Sequence, residues 1–337
     1  MDAEQVERER QSIVEKYGEW TAHNIALGRN IYTISAGQPG SHRLLRTLQI
    51  VSDLIRKPFR ELRVLDLACL EGQYAIEFAL QGANVVAIEG RDRNIEKARF
   101  AKRVLNLEHL ELLQGNVWDL SAKTHGRFDV VLCLGILYHL DEPDVFSLID
   151  RIGDTCDHIA IFDTYVSLAP VKRYSYEGKD YYGRDIQEHN PENASATKSD
   201  DLWSSMYNDK SVWITKATLY NMLLRNGFTS VYECDVPLEL DKPLDRVTIV
   251  AIKGQPAKVL GARPPVQEES QMPEHWRRIP SQHQRRFAHT SKRISNIFPP
   301  GLKRGIKRQL RAFGLFRRKI QPWEWSDPFR RREGQDR

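Results

Sequence analysis

The sequence predicts an α/β fold in which a mostly parallel sheet carries helices on both faces. Two observations support this prediction. Between residues 62 and 163, short apolar runs alternate with segments whose apolar residues recur at helical spacing. Within that region, residues 64–79 pass from a strand pattern through a tight acidic turn into a helix pattern. Because α/β sheets bind ligands at the carboxyl ends of their strands, this turn predicts a binding site.

The elements follow in chain order. Residues 3–17 have the pattern of a polar amphipathic helix, and Ser41 is placed to cap a second helix. The predicted strands span residues 62–68, 84–89, 109–114, 128–134, 157–163, 229–235 and 245–252. The predicted helices between and after them span residues 73–80, 92–105, 144–153 and 216–226.

The turn that follows the first predicted strand is a poor phosphate-binding loop. Such loops need glycines for close backbone approach, but Ala68 and Leu70 occupy the spaced positions and only Gly72 remains. The next strand ends at Glu89, where a carboxylate can accept hydrogen bonds from both ribose hydroxyls. These residues therefore favour a nucleoside ligand without a pyrophosphate.

Four strand ends resemble the motifs of class I S-adenosylmethionine-dependent methyltransferases: DLACLEG, IEGRD, QGNVWDL and FDVVLCLGILYHL. The resemblance covers residues 60–165 well and residues 215–253 more loosely. GILYHLDEP and SVWITKATLYNMLLRNGF resemble most the branch that includes tRNA wobble-uridine carboxymethyltransferases. The resemblance implies a seven-stranded Rossmann-like sheet whose last strand is antiparallel. It implies ordinary S-adenosylmethionine as the cofactor, because the basic residues that hold a carboxylated donor in that branch are not identifiable.

The resemblance also implies roles for individual residues. Asp66 would hold the turn or the methionine amine of the donor, Glu89 the ribose, and Asn116 with the backbone of Val117 the adenine edge. The remaining predicted cofactor-binding residues are Ala68, Gly72 and Leu134. No metal site is predicted.

Catalysis is predicted at the fourth strand end. Methyl transfer to a hydroxyl or amine requires that the acceptor lose a proton. Histidine side chains ordinarily have a pKa near neutrality, so His139 is a candidate general base. Tyr138 beside it is a candidate for contacting donor or acceptor. The alternative is that His139 only begins a helix or packs against the preceding apolar run.

Two segments flank this predicted core. The resemblance implies that residues 1–57 form a helical lid, in which Trp20, His23 and Asn24 lie over the cofactor. Alternatively, Trp20 anchors the core and Asn24 forms a turn or cap. Residues 165–212 interrupt the strand and helix pattern with little regular periodicity and with many tyrosines and tryptophans. They are predicted to bind the acceptor, the alternative being a structural flap or a dimerisation arm. The methyltransferase domain would span residues 58–253.

The charge is distributed unevenly. Residues 258–337 hold twenty Lys or Arg and seven Asp or Glu, so their net charge is +13. Because the whole chain has a net charge of +5, residues 1–257 carry −8. Prolines indicate a linker over residues 254–295, and a basic amphipathic tail over 296–337 includes a helix at 302–320. An anionic membrane surface is the favoured partner of this helix; nucleic acid and docking on its own domain or a second subunit are the alternatives.

Composition bounds the remaining expectations. No signal peptide or bilayer-spanning apolar run is recognised, so a cytoplasmic protein is expected. The four cysteines lack a C-x-x-C pair and are expected to be free thiols. If the tail binds lipid, the protein would be peripheral at the inner membrane face. The predicted function is methylation of O or N in a small molecule or a glycan or lipid-linked precursor. A tRNA-modifying (carboxy)methyltransferase and a non-catalytic nucleotide-binding scaffold are the alternatives, and a homodimer is compatible with all three.

Overall fold

The structure is a computed structural model of the 337-residue chain. It describes residues 1–28, 30–34, 42–190, 198, 200–235 and 242–255. The predicted cap at Ser41 and the predicted tail with its helix at 302–320 lie outside these residues, as does nearly all of the predicted linker.

The helices and strands predicted from the sequence occur in the predicted order, and further elements that were not predicted lie between them. The helices are α1 (Ala3–Tyr17), α2 (His42–Leu54), α3 (Gln73–Leu80), α4 (Asp92–Leu105), α5 (Ala122–His125), α6 (Asp144–Thr155) and α7 (Lys216–Arg225). The strands are β1 (Ala26–Gly28), β2 (Ile31–Tyr32), β3 (Arg63–Leu67), β4 (Asn84–Glu89), β5 (Leu110–Gln114), β6 (Phe128–Leu134), β7 (Cys156–Tyr165), β8 (Lys172–Tyr176), β9 (Lys179–Gln187), β10 (Lys210–Ile214), β11 (Phe228–Glu233) and β12 (Arg246–Lys253).

The described residues form a seven-stranded sheet in the order β11-β12-β7-β6-β3-β4-β5. Strand β3 pairs in parallel with β4 and β6, whereas β12 pairs antiparallel with both β7 and β11. The predicted seven-stranded Rossmann-like sheet is thereby confirmed, including the antiparallel last strand. Among the described residues, no helix has the length and apolar character needed to cross a bilayer.

The central strands are buried on both faces, which explains their nearly continuous apolar sequences. Val64 and Leu65 are neighbours in β3, and both are fully buried, but they pack into two different core clusters on opposite faces of the sheet. Burial of a side chain of this size stabilises the fold by about 1.5–3 kcal/mol. This two-sided core fixes β3 as an interior strand of the sheet, and thereby fixes the turn that follows it.

Residues 165–212, whose sequence shows little regular periodicity, form regular structure. Strands β8, β9 and β10 form a separate three-stranded antiparallel sheet in the order β10-β9-β8. Its first hairpin turns at Glu177 and Gly178, which both adopt positive φ angles (47° and 71°). These strands carry charged residues on their outer face, so apolar alternation is weak, and the Glu-Gly pair is the signal that could have identified the hairpin.

Three tyrosines of residues 165–212, the segment predicted to bind the acceptor, pack against helix α6. Tyr174 and Tyr181 are buried, and their rings pack with that of Tyr176 against Phe146 of α6. Their role is to attach the small sheet to the main core, because an aromatic ring buried against another ring contributes both apolar area and favourable ring geometry.

Candidate functional site

A cavity of about 870 Å³ opens at the carboxyl ends of the parallel strands. Eight of the nine predicted site residues line it: Asp66, Ala68, Glu89, Asn116, Val117, Leu134, Tyr138 and His139. The exception is Gly72, which does not reach the cavity wall. With φ at +85°, Gly72 packs so closely on α4 that an added Cβ would lie 2.9 Å from Cβ of Ala98. Gly72 therefore serves helix packing at the end of the turn.

The turn after β3 keeps a glycine-like backbone without the glycines. Ala68 and Leu70 have φ angles of 53° and 52°, in the left-handed region that favours glycine. The amide of Cys69 donates to the carbonyl oxygen of Ile88 at 3.0 Å, and this bond holds the turn against β4. The turn therefore keeps the backbone path that glycines would give it, at the cost of strain at Ala68 and Leu70.

Asp66 lies at the end of β3 beneath this turn. One carboxylate oxygen accepts a hydrogen bond from the amide of Ala75 at 3.2 Å. Burial raises the pKa of Asp66 to about 7, and the nearby carboxylate of Glu89 adds to the rise. A cationic group placed in the cavity would favour the ionised form of Asp66.

Glu89 at the end of β4 is buried, with its side chain against the same turn. Its two oxygens accept hydrogen bonds from the amides of Leu70 and Arg91, both at 2.9 Å, and from the side chain of Asn94 at 3.2 Å. Burial raises the pKa of Glu89 despite these donors. A carboxylate has about four lone-pair directions, so capacity remains for a ligand hydroxyl.

Asn116 and Val117 follow β5 on the same side of the cavity. The side-chain oxygen of Asn116 accepts from the amide of Trp118 at 3.1 Å and begins a short 3-10 turn at Val117–Asp119. Together with Glu89 and the turn, these residues form the half of the cavity that can hold a nucleoside, here called the donor half.

The N-terminal segment closes the donor half through a residue whose role was not predicted. Glu71 is fully buried, and its carboxylate accepts hydrogen bonds from the amides of residues 21, 22 and 23 at 2.9, 3.1 and 3.0 Å. Lys97, also buried, donates to the same carboxylate at 3.2 Å. The signal available in the sequence was an acidic residue inside an otherwise apolar turn, because such a buried charge needs partners.

His23 is the member of this segment that lines the cavity together with Ala22. Its Nδ1 accepts a hydrogen bond from the amide of Gln73 at 3.2 Å, which requires a neutral ring. Burial lowers the pKa of His23 to about 4. Trp20 instead packs in the core against Phe100, and the side-chain oxygen of Asn24 accepts from the amide of Ile34, as in the alternative interpretation of these two residues.

An aromatic wall forms the other half of the cavity, here called the acceptor half. The rings of Tyr165 and Trp213 stack with centroids 4.6 Å apart and planes 14° apart, and the ring of Tyr138 meets that of Tyr165 edge-on at 5.0 Å. Burial raises the pKa of Tyr138, so its hydroxyl stays protonated and can donate a hydrogen bond.

Two arginines share one carboxylate at the border between the halves. Arg246 contacts Asp163 through Nε at 2.8 Å and Nη2 at 2.6 Å, and Nε of Arg43 lies 3.4 Å from the other oxygen of Asp163. Both arginines line the cavity. Because two guanidinium groups face a single anion, this border can accept a further negative group such as a ligand carboxylate.

His139 lies in the acceptor half, on the 3-10 turn Leu137–His139 after β6. Its Nδ1 is 3.1 Å from both carboxylate oxygens of Glu188, which directly follows β9. Glu188 could not be found from the sequence, because only the unpredicted hairpin brings it across the cavity to His139.

The later part of the predicted insertion lies over the donor half. Arg91 donates through Nη2 to the carbonyl oxygens of Asp201 and Ser204, both at 2.8 Å. Met206 packs against Gly90, where an added Cβ would lie 2.8 Å from its sulfur. The segment 202–207 thus closes the end of the cavity nearest Glu89, so the insertion contributes to both halves.

Comparison with known proteins relates this arrangement to methyltransferases. Residues 64–157 match a family described as a methyltransferase domain. An 81-residue stretch is 37% identical to the ubiquinone biosynthesis O-methyltransferase of Azotobacter vinelandii, covering 24% of this chain and 34% of that protein. For the enzyme of the same name from Rickettsia canadensis, 89 residues are 36% identical, covering 26% and 36%. The chain thus spans about a third of the length of the curated relatives it matches.

The fold is similar to that of a domain of known crystal structure. The N-terminal domain of EvdMO1, in a crystal structure determined in the presence of SAH and D-fucose, has a TM-score of 0.57 and 22% sequence identity. The alignment covers 75% of this chain and 97% of that domain. The similarity therefore extends over nearly the whole of that domain, and at this identity it establishes the shared fold.

Proposed function

We propose that this chain is an S-adenosylmethionine-dependent methyltransferase that methylates oxygen or nitrogen in a small molecule. The observation that carries the proposal is one continuous cavity whose two ends differ in chemistry. Asp66, Glu89 and Asn116 supply polar groups for a nucleoside and an amine at one end, and an aromatic wall with His139 lies at the other. Methyl transfer needs donor and acceptor aligned in one such enclosed space.

The residues present fit the donor. Glu89 would bind the ribose hydroxyls, Asn116 and Val117 the adenine edge, and Asp66 the methionine amine. Arg43, which lines the same cavity, would bind the methionine carboxylate. When bound, the donor supplies an electrophilic methyl group on a sulfonium. The chain's own residues hold the donor, exclude water through residues 22–23 and 202–207, and place the acceptor against the aromatic wall.

Calorimetry with S-adenosylhomocysteine tests the proposal. Wild-type protein should bind it, and Glu89→Gln should weaken binding by about 10- to 100-fold, because charge-assisted hydrogen bonds contribute about 1.5–3 kcal/mol each. Glu111→Gln is the matched control, since Glu111 is exposed on the neighbouring strand β5. Absence of binding to the wild type would refute the proposal and favour the non-catalytic scaffold.

The tRNA wobble-uridine branch remains the finer alternative. A carboxylated donor carries one more negative charge than S-adenosylmethionine, and Arg43 and Arg246 supply cations at the border of the two halves. Tighter binding of the carboxylated donor than of S-adenosylmethionine would favour that branch; equal or weaker binding would favour the ordinary donor.

The proposed partners follow from residues outside the described part of the chain. A peripheral membrane role at the inner face rests on the charge and apolar pattern of residues 302–320. Sedimentation with anionic liposomes should pellet the full chain, and deletion of residues 296–337 should abolish pelleting. Binding to RNA instead, or an unchanged pellet after the deletion, would contradict this proposal. Sedimentation equilibrium of the full chain and of the chain without residues 296–337 would detect a homodimer.

A further inference from the structure

The contact between His139 and Glu188 joins two separate parts of the fold. His139 belongs to the loop after β6, and Glu188 comes from the small antiparallel sheet. The Glu188 side chain is only 6% exposed, and one of its oxygens also accepts from the amide of Ser205 at 3.0 Å. The side chain of Asn208 donates to the carbonyl oxygen of His139 at 3.1 Å, which fixes the backbone at the same place.

This contact determines which nitrogen of His139 carries the proton. An ionised carboxylate only accepts hydrogen bonds, so a neutral ring facing it must carry its proton on Nδ1. Burial alone would raise the pKa of Glu188, but its interactions with His139, Ser211 and the amide of Ser205 together hold the pKa below its usual value. Glu188 is therefore ionised at neutral pH and can hold this tautomer.

The other ring nitrogen is left with its lone pair. His139 lines the cavity, and within the part of the chain that the structure describes its Nε2 makes no hydrogen bond to protein. A ring nitrogen with a lone pair, held beside an aromatic wall in an enclosed cavity, can accept a proton from a group placed there.

We propose that Glu188 is a positioning residue that fixes His139 as a general base for a hydroxyl acceptor, an inference that rests on the proposed methyl transfer. The acceptor oxygen attacks the methyl carbon, and the carbon–sulfur bond breaks with its electron pair moving to sulfur. The hydroxyl proton passes to Nε2 of His139, so the products are a methyl ether, a neutral thioether and an imidazolium. The carboxylate of Glu188 stabilises that imidazolium through Nδ1.

The tautomer of His139 can be measured without knowing the acceptor. The full chain is prepared with 15N-labelled histidine and saturated with S-adenosylhomocysteine, and long-range proton–nitrogen correlation spectra are recorded. His139→Gln identifies the ring signals by their loss. The wild-type ring should show a protonated Nδ1 and an unprotonated Nε2. A ring protonated on Nε2 in the neutral state would overturn the proposal.

Two variants test whether Glu188 is the cause. Glu188→Ala should lose the protonated Nδ1 signal and gain a tautomer protonated on Nε2. Glu188→Gln should give a mixture, because the amide can present its oxygen to a protonated Nδ1 or its NH2 group to an unprotonated Nδ1. This variant keeps the test available if the alanine form does not fold. Glu142→Ala, an exposed site three residues from His139, should leave the spectrum unchanged.

The outcomes separate the two proposals. An unchanged tautomer in both Glu188 variants would refute the positioning role of Glu188, whereas failure of the wild type to bind S-adenosylhomocysteine would refute the proposed function itself.

Discussion

The buried contact between Glu71 and Lys97 yields the sharpest stability prediction. Both side chains are at most 1% exposed, and Glu71 also accepts from three backbone amides of residues 21–23. Glu71→Ala would leave three amides without their acceptor and would leave the buried ammonium of Lys97 without its counter-ion, bonded only to the carbonyl oxygen of Glu19. Removing one partner of a buried ion pair costs about 3–5 kcal/mol, so we expect the folded domain to lose about that much stability.

Differential scanning calorimetry measures this loss directly. For a domain of this size, about 2–4 °C of Tm accompanies each kcal/mol, so Tm should fall by about 6–20 °C. Glu108→Ala is the control, because Glu108 is exposed and should change Tm by less than about 2 °C. The double variant Glu71→Leu with Lys97→Met removes both buried charges and should recover part of the loss, although the amides of residues 21–23 stay unpaired.

The same substitution should weaken the donor site. Ala22 and His23 line the cavity, and Glu71 holds their backbone in place. We expect Glu71→Ala to bind S-adenosylhomocysteine about 10-fold more weakly at a temperature where the variant is fully folded. The reason is that residues 21–23 would then have to become ordered on binding, which lowers the affinity. A Glu71→Ala variant as stable as the Glu108→Ala control would refute the reasoning, and unchanged affinity would refute the link to the donor site.

Three further predictions concern the turn after β3. The pKa of Asp66 is about 7, and its ionised form should bind the donor amine. Affinity for S-adenosylhomocysteine should therefore fall about tenfold per pH unit below pH 7 and level off above it. Calorimetry measures this dependence, which should be absent in Asp66→Asn. Ala68→Gly should raise stability by about 0.5 kcal/mol by relieving its left-handed backbone, whereas Ala217→Gly, on an exposed helical site, should lower it by about 0.5–1 kcal/mol in urea denaturation. Gly72→Ala should lower stability by about 2–4 kcal/mol in the same measurement, because its Cβ would collide with Ala98 and its φ is positive.

The strand and helix order could be predicted because hydrophobic periodicity and burial agree along residues 62–163. Helices α3 and α4 and strands β4 and β6 have the predicted bounds. The residues predicted to form the site also meet at one cavity, since they follow parallel strands whose carboxyl ends share one edge of the sheet. The resemblance supplied what periodicity alone does not contain, namely the expected role of each strand end.

The sequence failed where structure depends on contacts between distant residues. The hairpin of β8 and β9 has one face on α6 and the other in solvent, and charged residues on the outer face mask its alternation. Glu71 looked like one more residue of a degenerate turn, because its partners are backbone amides fifty residues earlier. Glu188 has no local signal at all, since its role depends on the position of His139.

One of these missed residues, Glu188, connects the two halves of the cavity. Glu188 contacts His139 in the acceptor half and, through the amide of Ser205, the segment 202–207 that covers the donor half. A donor that fills the space beneath Met206 would press on this segment, and the segment is bonded to the same carboxylate that orients the base. Donor binding and orientation of His139 should therefore be coupled, so that the Nδ1-protonated tautomer sharpens when S-adenosylhomocysteine is added. Identical His139 spectra with and without this ligand would show that the two halves act independently.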